Sequence, residues 1–310
     1  MAKTIRVAAI QTSYGADMKA NIAKTERFVR EANLLALLQH PGIVSYVAHG
    51  HTPSGYLYLA MEWLEGEDLS HRLSRGPLLI RESMVLVRRV AEALSLAHRR
   101  GVVHRDLKPS NLFLRHGQVE RVTLLDFGIA RGHGAGLLAP RAGVTQTGHV
   151  IGTPEYMAPE QARGDRIIGT AADIFALGSV LYECLTGQPP FLGEHIAALL
   201  SKVLFEEPPP VRSLRPEVPD TIEHLVHRML AKDPAGRPAD AGILLGEVER
   251  ILSSGALPDT VSDARGAQRR RHMTTLELEL MSVVLARPRP AGEQAATVAS
   301  GGTWAGGLGP

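Results

Sequence analysis

Over the first sixty residues, apolar positions come in short alternating runs. Beyond about residue 80 they recur every three to four residues. The first pattern belongs to strands and the second to amphipathic helices. Thr4 to Ile10 reads as a strand, apolar at Ile5, Val7, Ala8, Ala9 and Ile10. Asn21 is placed to cap a helix running to about His40, with Phe28, Ala32 and Leu35 on one face and Pro41-Gly42 as its stop. Ile43 to Ala48 and Tyr56 to Met61 read as antiparallel strands across the polar turn His51-Thr52-Pro53-Ser54-Gly55. From Ile80 a helical stripe runs through Val87, Val90, Leu94 and Ala97 and closes at Gly101. Val122 to Leu125 reads as a short strand. Helices are expected at about Ala171–Thr186, Glu194–Phe205, Thr221–Leu230 and Ala239–Leu252. Strands first and helices after predict an α+β protein of two lobes, the front one small.

Composition narrows the function. The 310 residues carry 34 Lys+Arg against 32 Asp+Glu, a formal charge of +2, which argues against a nucleic-acid coat. At 5% aromatic residues a base-stacking platform is a poor fit. The single cysteine, Cys184, excludes an intrachain disulfide and any cysteine-rich metal site. Its apolar neighbours Leu181, Tyr182 and Leu185 point to a buried, inert thiol. The thirteen histidines show no H-E-x-x-H spacing. No apolar run is long enough to span a membrane and no signal-peptide pattern is visible, so the expected compartment is the cytoplasm. Near residue 254 the composition shifts to a Gly/Ala/Pro-rich tail, 255–310, which reads as mostly disordered apart from an apolar patch from Thr274 to Leu285.

Three motifs carry chemistry. The first is His104-Arg105-Asp106-Leu107-Lys108-Pro109-Ser110-Asn111. Twenty residues after Asp106 stands Asp126-Phe127-Gly128. Gly152-Thr153-Pro154-Glu155-Tyr156-Met157-Ala158-Pro159-Glu160 follows. In this order and spacing the chain resembles the Hanks-type bacterial serine/threonine protein kinases, from about Phe28 to Ile251. The resemblance implies a two-lobed kinase fold, with the remaining front lobe and hinge at 33–63 and the helical lobe at 64–254. It implies transfer of the ATP γ-phosphate to Ser/Thr hydroxyls of protein substrates, with ATP and magnesium as cofactors. Asp106 takes the place of the catalytic base, Lys108 holds the transferring phosphate, and Asn111 and Asp126 are the magnesium ligands. Met61 is the gatekeeper, and the backbones of Glu62 and Leu64 receive adenine. Glu31 matches the helix glutamate that pairs with a phosphate-binding lysine. Asp173 braces the catalytic loop, and Glu160 and Arg237 form a buried structural ion pair. His104 is a packing residue by the same resemblance. Val144-Thr145-Gln146-Thr147 resembles the phosphorylated activation segment, with Thr145 and Thr147 as phosphosites and Arg105 as phosphate receiver. The resemblance also implies dimerisation for trans-autophosphorylation.

The front departs from this pattern. Among the residues ahead of Glu31 the sole glycine is Gly15, so they hold no G-x-G-x-x-G. Where the family carries Val-Ala-Ile-Lys, this chain reads Val7-Ala8-Ala9-Ile10-Gln11, and Gln11 cannot neutralise phosphate. Lys19 and Lys24 are the nearest cations. Thr4 to Thr12 and Asn21 to Glu26 also resemble the first strand and helix of nitrilase-superfamily N-carbamoylputrescine amidases, over residues 3–32, without the catalytic Glu, Lys and Cys of that family. Residues 1–32 are therefore read as an amidase-like opening that merges into the front lobe. Three readings stay open on sequence alone: a working kinase, a pseudokinase acting as a binding or scaffold protein, and an inactive kinase fragment.

Overall fold

The computed structural model describes residues 7–12, 36–51, 57–127 and 154–255, with backbone alone for 7–12, 51 and 57. The front sheet has three antiparallel strands, β1 (Val7–Thr12), β2 (Tyr46–His51) and β3 (Leu57–Glu62), in the order β1-β3-β2. The pairing runs from Val7 opposite Glu62 to Gln11 opposite Tyr58 and Thr12 opposite Leu57. The first two strands sit two or three residues later than the pattern predicted, and the third sits one residue later. Apolar alternation marks which face a strand buries but not where its ladder stops.

A second sheet joins β4 (Gly66–Asp68), β5 (Leu112–Arg115) and β6 (Val122–Leu124), in the order β4-β5-β6. Periodicity missed β4 and β5 because three or four residues are too few to show a period. Gly66 is required there. Its φ is 144°, and a Cβ would lie 2.0 Å from the carbonyl oxygen of Leu114 on the paired strand. The two sheets are tied through the segment before β2. Val44 N–H donates to Leu124 O (3.0 Å) and Leu124 N–H to Gly42 O (2.9 Å).

The rest is helical among the described residues: α1 (Leu69–Leu73), α2 (Ile80–Arg99), α3 (Pro159–Arg163), α4 (Ala171–Thr186), α5 (Ile196–Phe205), α6 (Val211–Leu214), α7 (Asp220–Met229) and α8 (Ala241–Ser253). Helix α4 is the axis of this lobe. Every residue from Ala172 to Leu185 is buried, so the helix is covered on all sides rather than along one stripe. Gly178 lets α7 approach, since a Cβ there would meet Met229 Cβ at 2.8 Å. Gly187, at φ 79°, ends the helix. Helix α2 buries the predicted stripe Val87, Val90, Leu94 and Ala97 against α4 and α8. The Asp240 side chain caps α8, accepting from the N–H groups of Gly242 and Ile243. Cys184 lies wholly inside, and burial pushes its thiol well above the ordinary range. No helix among the described residues is long and apolar enough to cross a membrane.

Candidate active site

The site forms where three short segments meet over the buried start of α4. Asp173, in the first turn of α4, has no exposure. A carboxylate there must find donors or pay a large desolvation cost. It finds them in the loop ahead of β5. Its Oδ2 accepts the N–H of His104 (2.7 Å) and its Oδ1 the N–H of Arg105 (2.8 Å). Arg105 stands at φ 66°, a left-handed conformation that costs a non-glycine residue on the order of 1–3 kcal/mol. The two amide contacts hold the loop in it. His104 is fully buried, sends Nε2 to Leu125 O (3.0 Å) and packs on Phe127 at 4.6 Å between ring centroids.

The next residue presents the carboxylate of Asp106. Asn111 folds back over it from the turn Pro109–Asn111. Its Nδ2 donates to Asp106 O (2.8 Å) and, at 3.3 Å, to Asp106 Oδ2. That fixes the amide orientation and leaves the Asn111 oxygen as an acceptor. Asp126 follows β6 at φ 44°. Burial first, then the neighbouring Asp106 charge, push its carboxyl above the usual range, while His104 and Lys108 pull the other way. Asp126 feels the charge of Asp106, to which Asn111 is bonded, and carboxylate and amide oxygens of this kind are suited to a hard cation. Among the described residues no group of three His, Cys, Asp or Glu forms a metal cage. The carboxylates and the amide oxygen fit magnesium, an ion that ordinarily takes one or two carboxylates together with phosphate oxygens and water.

Met61 is buried near the end of β3, opposite Ala8, and Glu62 is the last residue of that strand. The Glu62 N–H is taken by Ser45 O (2.9 Å). Its carboxylate accepts Ser45 N–H (2.9 Å) and pairs with Arg115 of β5 at 2.6 Å, and these bonds outweigh burial to hold it below the usual range. Leu64 is half-buried against the core. Gln11 lies on β1 opposite Tyr58.

Glu160, on α3, and Arg237 meet in a two-pronged pair, Oε1 to Nη1 at 2.8 Å and Oε2 to Nη2 at 2.9 Å, both residues buried. Arg105 is brought against the same side. Its carbonyl accepts from Gln161 Nε2 (2.9 Å), and its buried Nε has no hydrogen-bond partner among the described residues. Glu31, Thr145 and Thr147 lie outside the described residues, as do Gly128, Lys19, Lys24 and the tail after Gly255.

Sequence reasoning missed three residues that shape the site: Arg115, Gln161 and His98. Nothing in the spacing of Arg115 or Gln161 marks them. His98 carried one signal, an apolar-helix histidine six residues before His104. In the structure it reaches Asp173 Oδ2 at 2.9 Å.

Residues 2–247 match the family model described as the protein kinase domain, a span that starts well ahead of Phe28 and takes in β1. Serine/threonine-protein kinase pkn3 of Myxococcus xanthus is 40% identical over 230 residues, covering 73% of this chain and 42% of that protein. PknB of Mycolicibacterium smegmatis is 34% identical over 275 residues, covering 86% of this chain and 42% of that protein. Pkn1 of Myxococcus xanthus is 43% identical over 230 residues, covering 74% of this chain and 32% of that protein. The chain thus spans less than half the length of these curated relatives. With a small front sheet, a helical lobe built on a buried α4 and a match across most of its length, this chain belongs to the protein kinase domain family.

Proposed function

We propose that the chain binds magnesium and ATP between its front sheet and helical lobe and directs the γ-phosphate to Ser or Thr hydroxyls of proteins. The observation that carries this reading is the Asp173-held loop, which sets Asp106 and Asn111 within 3.3 Å of each other. When bound, magnesium supplies charge neutralisation of the phosphates. Asp106 orients the substrate hydroxyl and takes its proton as the new oxygen–phosphorus bond forms and the bond to the β-phosphate oxygen breaks. Asn111 keeps the Asp106 carboxylate in one orientation and, with Asp126, offers the oxygens that hold the metal. Lys108 steadies the transferring group as a point charge. The carbonyl of Glu62 and the backbone of Leu64 address adenine. Arg105, with its buried Nε short of a partner, receives phosphate on Thr145 or Thr147.

One observation favours a second reading, a nucleotide-binding module with weak transfer. With Val7-Ala8-Ala9-Ile10-Gln11 aligned on the family's Val-Ala-Ile-Lys, Gln11, on β1, takes the place of the phosphate-binding lysine. Charge-assisted contacts to phosphate are worth on the order of 1.5–3 kcal/mol each. Losing this one alone costs about 10-fold or more in transfer, since about 1.4 kcal/mol is a factor of ten. Calorimetric titration with magnesium–ATP and transfer of labelled γ-phosphate to a protein substrate test both readings. The expected results are weak magnesium-dependent binding, low transfer, a rise of 10-fold or more in Gln11→Lys, and loss in Asp106→Asn. No nucleotide binding at all would overturn the first reading. Robust transfer in the unaltered chain would overturn the second.

A further inference from the structure

Asp173 is held by more than the loop it braces. Its Oδ2 takes a third donor, His98 Nε2, from the last turn of α2. The two side chains are 3% and 0% exposed, so the contact is shielded from bulk solvent. The other ring nitrogen of His98 faces the opposite way, where Nδ1 lies 3.2 Å from the N–H of Ala241, the first residue of α8. A backbone N–H can only donate, so Nδ1 must carry a lone pair. The ring proton then sits on Nε2 and points at Asp173. One tautomer satisfies both contacts and no other does.

The chain of contacts is continuous. Ala241 N–H donates to His98, His98 donates to Asp173, and Asp173 accepts the amides of His104 and Arg105, the two residues before Asp106. Arg105 needs that support, being held in a left-handed conformation. We propose that His98 is a positioning residue that, through its Nε2–H tautomer, couples the first turn of α8 to the catalytic loop. The inference rests on the proposed function only in calling that loop catalytic.

The test separates the two arms of the ring. Amide hydrogen exchange is followed on the full chain, with 15N-histidine spectra of the unaltered protein. His98→Gln retains a donor at the Nε2 position and loses the Nδ1 acceptor. His98→Phe retains the ring and loses both. Expected in Gln is faster exchange at Ala241 with His104 and Arg105 still protected. Expected in Phe is exchange roughly 10-fold or more faster at all three amides. The spectrum of the unaltered chain should show His98 bare at Nδ1 and protonated at Nε2. If the ring acts only by filling space, Phe keeps the loop amides protected and Gln loses them, and the proposal falls. A His98 ring protonated at Nδ1 overturns it as well. Should His98→Phe fail to fold, the Gln variant and the ring spectrum still decide. Exchange does not depend on phosphate transfer, so a chain without transfer activity gives the same readout.

Discussion

Replacing Arg237 with methionine tests how the helical lobe is closed. The guanidinium holds both oxygens of Glu160 and also donates to the carbonyls of Ala171 (2.8 Å), Ala231 (2.7 Å) and Lys232 (3.1 Å). It lies 5.0 Å from the centroid of the Phe175 ring. Glu160 is 4% exposed and Arg237 5%, so water cannot replace the lost donors. Methionine fills much of the volume but leaves a buried carboxylate without its counter-charge, a change that costs about 3–5 kcal/mol. For a lobe of this size each kcal/mol lowers Tm by roughly 2–4 °C, so Arg237→Met should fall by about 6–20 °C in a calorimetric melt. Removing the charge on both sides, in Glu160→Leu with Arg237→Met, should recover most of that loss, because no buried ion is left unpaired. Arg237→Lys should lie between, keeping the charge but not the fork. A loss below about 1 kcal/mol in Arg237→Met, or a double variant no better than the single one, would refute the reasoning.

Three further outcomes are expected. Asp126→Asn should raise the melting temperature of the magnesium-free chain, since burial disfavours the charge it removes, and should erase stabilisation by magnesium–ATP; a variant still stabilised by the pair would sink the metal role of Asp126. Phosphopeptide mapping after incubation with magnesium and ATP, or with a second kinase, should find Thr145 and Thr147, and phosphate confined to the tail would count against Arg105 as receiver. Lys232 is pushed down to about 8 by burial, sits 3.9 Å from the centroid of the Phe191 ring and donates to Val203 O at 2.8 Å. Glu206 and Glu207 favour its charge and Arg237 opposes it. With the folded value below the unfolded one of 10.5, the unfolded chain binds more protons between them. Urea stability should therefore gain from this group as pH rises from about 8 toward 10.5, and Lys232→Met should flatten that gain; an unchanged slope would reject it.

The sequence by itself determined the long helices and the motifs on which the family resemblance rests. Ile80–Arg99 carries enough apolar repeats to declare its period and closes at the expected Gly101, and Ala171–Thr186 is a mostly apolar segment too long for a strand. Asp106, Lys108, Asn111 and Asp126 stood out because the resemblance to protein kinases rests on motifs that hold them at short, fixed separations along the chain, and their roles in phosphoryl transfer belong to the proposed function. Strands β4 and β5 were not legible, since they are too short for a period and exist because Gly66 lets one backbone lie against the other. Arg115 joined to Glu62, Gln161 joined to Arg105, and His98 between Asp173 and Ala241 were invisible for another reason. Each contact spans 53 to 143 residues of chain. Only packing around the buried α4 brings such partners within hydrogen-bond distance, and burial then makes the contacts obligatory, because a polar group deprived of water must find its partner within the protein.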